Sequence, residues 1–160
     1  MKTKTAQKGR RTAGLAAAAA AALGGLLVAP TPAHAAWGTT YTFSVQDTYQ
    51  YPTGTTVQLG HVDGWVQFDD GGNSFRYSLT ACQQSSYTPP KIQVAVNAGY
   101  VGSTWQETDL EYLSLPSGCN TVTGQDTYAN YWNVAFVLYG DTFTPAHTTV
   151  SKRWVAANPY

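Results

Sequence analysis

The stretch Trp65-Val66-Gln67-Phe68, Asp69-Asp70-Gly71-Gly72-Asn73, Ser74-Phe75-Arg76-Tyr77-Ser78-Leu79-Thr80-Ala81 decides the fold. In its second half Phe75, Tyr77, Leu79 and Ala81 alternate with Arg76, Ser78 and Thr80. Successive side chains of a strand point to opposite faces, so this period of two predicts one buried and one solvated face. The link between the halves has turn chemistry, because Gly tolerates positive φ while Asp and Asn bond their own backbone. A β-hairpin is therefore expected.

The same pattern spreads outward. Tyr41, Phe43 and Val45 alternate with Thr40, Thr42 and Ser44, and Ile92, Val94 and Val96 form another such set. Val134 to Tyr139 is apolar at every position, as a strand covered on both faces would be. Thr148 to Ala156 is a further strand candidate, with Val150, Lys152 and Trp154 facing one way. Ser103 and Gln106 have capping-box spacing, yet the residues beyond them lack a helical period, and a strand from about Thr108 to Leu115 is preferred. The expected fold is an all-β, single-domain β-sandwich of about seven to nine short strands with one disulfide; the alternative is a small β-barrel.

Residues 1–35 are of another kind. Lys2, Lys4, Lys8, Arg10 and Arg11 precede a run from Leu15 to Val28 built only of Ala, Leu, Gly and Val; Pro30, Pro32 and Ala33-His34-Ala35 follow. A charged start, an apolar middle and an A-x-A exit describe a signal peptide cleaved near Ala35, which leaves residues 36–160 as a secreted β domain without a membrane anchor. At about 14 residues the run is short for a ~30 Å hydrocarbon core. Arg10-Arg11 raises the twin-arginine route, but Thr12-Ala13-Gly14 favours the general one. In an exported chain the two cysteines, Cys82 and Cys119, are expected to pair.

The leader takes five of the nine basic residues, so the rest holds Arg76, Lys91, Lys152 and Arg153 against nine acids, a net charge of −5. Nucleic acid is excluded as a partner, since phosphate neutralisation needs clustered Lys and Arg. No cofactor motif is present.

All five Trp, eleven Tyr and five Phe lie after residue 36. Trp65, Phe68, Phe75, Tyr77 and Phe136 fall in strand patterns and are expected in the core. Tyr49, Tyr51, Tyr87, Tyr128, Tyr131 and Trp132, with Trp105, fall in polar surroundings. A short repeat links some of them: Gln46-Asp47-Thr48-Tyr49-Gln50-Tyr51 and Gln125-Asp126-Thr127-Tyr128-Ala129-Asn130-Tyr131, with Asp141-Thr142-Phe143 a fainter copy. Asp-Thr before an aromatic is a convenient way to leave a strand. Alternatively the repeats share a surface and present Tyr49, Tyr51, Tyr128, Tyr131 and Trp132 to a ligand, because such rings join a flat apolar face to a polar edge.

Glu107-Thr108-Asp109-Leu110-Glu111 is the one carboxylate-rich run. On a regular strand its three acids share a face, about 6.5–7 Å apart, and crowded like charges push one pKa up. The spacing E-x-D-x-E resembles the catalytic strand of retaining β-glucanases of jelly-roll fold, which are about twice this length; the resemblance covers these five residues alone. It implies Glu107 as nucleophile, Glu111 as acid/base and Asp109 as the residue that tunes them. A solvated polar face and a calcium site are the other readings.

His61 and Asp63 could belong to a triad, but no G-x-S-x-G elbow accompanies them. The histidines are too few for zinc, and Asp69–Asn73 lacks the EF-hand pattern for calcium. No metal is expected. The leading functional expectation is an extracellular binding domain for carbohydrate or a cell-envelope polymer. A secreted protein-interaction domain, such as an inhibitor or surface component, and a small glycan hydrolase using Glu107 and Glu111 stand behind it. Nothing in the sequence fixes an oligomeric state.

Overall fold

Eight antiparallel strands, two of them buried on both faces at their centres, make up a computed structural model that describes residues 36–143 and 146–160. They are β1 (Tyr41–Gln50), β2 (Thr56–Phe68), β3 (Ser74–Gln83), β4 (Lys91–Val101), β5 (Thr104–Ser114), β6 (Cys119–Thr127), β7 (Asn133–Thr142) and β8 (Thr148–Ala157). One sheet has the order β1-β2-β3-β6 and the other β5-β4-β7-β8. The two pack face to face as a sandwich, and no helix interrupts the described residues. The leader, residues 1–35, lies outside them.

The expected hairpin is β2–β3, with Phe68 opposite Phe75. Asp69 Oδ1 accepts the backbone N–H groups of Asn73 at 2.9 Å and Ser74 at 2.7 Å, and Gly72 takes φ +65°. The turn thus uses this carboxylate as an internal cap. β7 is buried on both faces over Val134–Leu138, as its sequence predicts.

Between the sheets lie Phe43, Val62, Val66, Phe68, Phe75, Tyr77, Leu79, Ile92, Val94, Val96 and Phe136. Phe43 stacks on Trp154 across the sandwich, with ring centroids 4.3 Å apart. Tyr77 crosses toward the second sheet, and only a glycine at position 124 leaves room for its ring, since a Cβ there would overlap the phenol. Trp65, expected in the core, instead lines a shallow depression with Arg76 and Gln125.

Cys82 and Cys119 form the disulfide. It joins directly opposed residues of β3 and β6 within one sheet, so it fastens an edge strand and does not tie the two sheets together. β6 is itself a correction, because no strand was expected between 116 and 133. Its repeat of one half-buried residue in two, with Gly124 in the middle, suits an edge strand that buries little.

Candidate functional site

The acidic run lies on β5, at the edge of the second sheet, but not as a regular strand would place it. Opposite β5, Val94 pairs with Glu111 and Ala95 with Asp109, which leaves Leu110 as an extra residue. This β-bulge puts two adjacent side chains where one belongs and resets the alternation. Leu110 packs on the core, and Glu111 accepts the hydroxyl of Tyr77 between the sheets. Glu107 and Asp109 stay on the outer face. The expected single row of three carboxylates therefore does not form, and Glu107 and Glu111 do not flank a common cleft.

What forms instead is a network around Gln93, a polar residue on β4 whose neighbours Ile92 and Val94 enter the core. Its side chain is turned outward yet only 1% exposed, because others cover it. Its amide donates to Glu107 Oε1 at 2.9 Å and to the carboxylate of Asp109, and its carbonyl accepts the Tyr139 hydroxyl. Trp105 Nε1–H donates to the other oxygen of Glu107 at 2.7 Å, and the Tyr112 hydroxyl donates to Asp109 Oδ2 at 3.0 Å. Desolvation, then the bond to Asp109, raises the Tyr112 hydroxyl to about 12, so it stays a donor throughout the physiological range. One buried amide thus links Tyr139 and two carboxylates directly, and Trp105 and Tyr112 through those carboxylates.

The network borders a groove of about 630 Å³ lined by Thr88, Pro89, Lys91, Tyr112, Tyr139 and Asp141, among others. Burial raises the Asp141 carboxyl, but hydrogen bonds from Thr149 at 2.6 Å and Thr88 at 2.5 Å outweigh it and lower it. At the other end Trp105 lies on Ala95, Ala98 and Ala135, with the Arg153 guanidinium 4.4 Å from its ring centroid and Tyr100 edge-on at 5.1 Å. The run from Lys91 to Gly99 gives this face a length of roughly 25 Å. Tyr100 and Tyr112 stand 67% and 54% exposed. Such a surface offers flat apolar rings beside anchored hydrogen-bonding groups.

The repeat does not gather its tyrosines. Tyr49 and Tyr51 meet edge to face at 5.1 Å, and the Tyr51 hydroxyl reaches Thr142 Oγ1 at the end of β7. Tyr128, Tyr131 and Trp132 precede the opposite end of that strand. Tyr131 is a plain correction: it is 3% exposed, packs on Phe68 and Phe75, and donates its hydroxyl to Ser74 O at 2.9 Å. Tyr128 is half-buried against the same core. Trp132 is exposed, but its ring lies along Gly99, held by Trp132 N–H donating to Asn97 Oδ1 at 3.0 Å.

Sequence reasoning missed Gln93, Tyr112, Tyr139 and Lys91. A glutamine inside the apolar run Ile92–Val96 was the available signal. His61 Nε2 and Asp63 Oδ2 meet at 2.8 Å on the outer face of the first sheet, with no hydroxyl among the described residues bonded to the imidazole. Among the described residues no group of three or more His, Cys, Asp or Glu could hold a metal ion, and no helix is long and apolar enough to cross a membrane. Compared with known proteins, the chain matches no family model, no curated protein and no solved structure.

Proposed function

We propose that this protein is exported, loses its leader near Ala35, and binds a glycan along the outer face of the β5-β4-β7-β8 sheet. The observation that supports this most is the set of rings Trp105, Tyr112 and Tyr139 interleaved with Glu107, Asp109 and Gln93 beside the groove. A sugar ring has an apolar face for the aromatics and hydroxyls for the carboxylates, which the buried amide orients. Preorganisation by Gln93 lowers the ordering cost of binding, because Tyr112 and Tyr139 are held before the ligand arrives. The disulfide suits an oxidising, extracellular setting.

The test is depletion of the purified, oxidised domain by insoluble chitin, cellulose, β-glucan and peptidoglycan. Selective removal by one polymer, lost in Tyr112→Ala, supports the reading; no depletion by any of them contradicts it. A protein-interaction domain is the second reading. It draws on the exposed pair Tyr87 and Phe143, stacked at 5.0 Å away from the network.

A further inference from the structure

Ala36, the first described residue, is already built into the domain. Its backbone N–H donates to Asp70 Oδ1 at 3.2 Å, and its carbonyl accepts the Asp70 N–H at 3.0 Å. Trp37 then bridges to Asp69, with the Arg76 guanidinium 4.5 Å from its ring centroid, and the Gly38 N–H donates to Phe68 O at 2.8 Å. A short strap thus runs beside the β2–β3 turn, and its first nitrogen faces a carboxylate. The small residues Ala33 and Ala35 stand immediately before it.

We infer that the Ala35–Ala36 bond is the processing site and that Asp70 receives the α-ammonium which cleavage creates. The inference rests on the export reading given above. A signal peptidase hydrolyses the bond between the Ala35 carbonyl carbon and the Ala36 nitrogen with one water. Ala35 leaves as a carboxylate, and Ala36 keeps the nitrogen as an ammonium. One neutral donor becomes a cation with three, and the contact already present to Asp70 becomes a charge-assisted hydrogen bond. Among the neighbouring charges Asp69 favours it, while the Arg76 cation opposes it. Asp69 adds negative charge while directing Oδ1 to the Asn73 and Ser74 amides, the Tyr160 backbone lies along Gly72, and Arg76 is engaged over Trp37. Maturation therefore adds an ion pair to the strap. Cleavage one or two residues later would remove the nitrogen or the strap that places it.

The sign follows from linkage. The pair raises the amine's pKa in the folded state, so its stabilisation is present below the ordinary amine value and lost as pH rises through the raised one. An α-amine ordinarily titrates near 7.7–8.0, and an exposed pair of this kind raises it by about 0.5.

The experiment exports the full chain from a bacterial host, takes the intact mass of the secreted protein, and follows the Ala36 methyl resonance through a pH titration. The expected mass begins at Ala36. Its amine should titrate about 0.5 higher in the native protein than in Asp70→Asn, with Asp70→Glu in between. A melting difference of about 2 °C between native protein and Asp70→Asn at pH 7 should vanish at pH 10. Absence of the protein from the medium, or retention of the leader, overturns the export reading and the processing site with it; a secreted mass beginning elsewhere overturns the processing site alone. A mass beginning at Ala36 with identical titrations in native and Asp70→Asn protein overturns the pairing alone.

Discussion

Asp47 shows how far one side chain can depart from what its neighbours in the chain suggest. It occupies the inward position after Phe43 and Val45 and is fully buried. Among the described residues neither carboxylate oxygen meets a donor in hydrogen-bonding geometry. Burial pushes its carboxyl up to about 6, and the Lys152 charge and the nearby amides of Thr48 and Gly140 offset this only in part. The folded state therefore holds a proton that the unfolded chain releases near 3.8, and stability falls as pH rises from there through about 6. The full penalty, on the order of 3 kcal/mol, applies above that value. Asp47→Asn should remove the slope and be the more stable protein at pH 8, as urea unfolding across pH 4–8 would show. Equal slopes in the two proteins would contradict this. Gly124→Ala forces a Cβ into the Tyr77 ring and should cost about 1–3 kcal/mol in the same assay. Neither effect is legible in sequence, where Gln46-Asp47-Thr48 looks like the polar exit of a strand. Tyr131 misled for the same reason. The repeat that it closes, Gln125–Tyr131, is mostly polar, and the rings that bury it, Phe68 and Phe75, come from a distant hairpin.

Strands with one clean buried face were legible. Phe75–Ala81 lies where its pattern puts it, because hydrophobic alternation acts locally and survives whatever the partner strand does; Val134–Tyr139, apolar throughout, was legible as a strand covered on both faces. Pairing irregularities were not. The bulge at Leu110 depends on the register of β5 against β4, and it alone decides that Glu111 meets Tyr77 while Asp109 meets Gln93. β6 was invisible because an edge strand of Thr, Gly and Gln buries too little to leave a pattern. Its attachment rests on pairing with β3 and on Cys82–Cys119, which closes a loop of separation 37. Replacing both cysteines by serine should lower the unfolding free energy by about 3–4 kcal/mol, measured by urea denaturation. An unchanged value would mean that the β3–β6 pairing survives without the bond.

Across the whole molecule, the two outer faces differ. The first sheet presents Thr42, Ser44, Asp63, Ser78 and Thr123 around Trp65, whereas the second gathers rings and carboxylates over the buried amide of Gln93. Sandwich architecture was readable from composition and spacing. The proposed binding face was readable only in part, since Glu107, Asp109 and Trp105 stood out as residue types, while Tyr112, Tyr139 and Gln93 join them only through strand register. If that face binds a glycan, the response to substitution is spatial. Trp105→Ala and Tyr112→Ala should each weaken binding about tenfold or more, in line with losing a ring from a contact. Tyr49→Ala, on the far side of the repeat, should leave it unchanged. The most direct test is a polymer-depletion assay of the native domain, Tyr112→Ala and Tyr49→Ala side by side, with melting temperatures confirming that each is folded. The account predicts depletion by one polysaccharide for the native and Tyr49→Ala proteins and its loss for Tyr112→Ala. Depletion lost in Tyr49→Ala but kept in Tyr112→Ala, or absent from the native domain altogether, would contradict it.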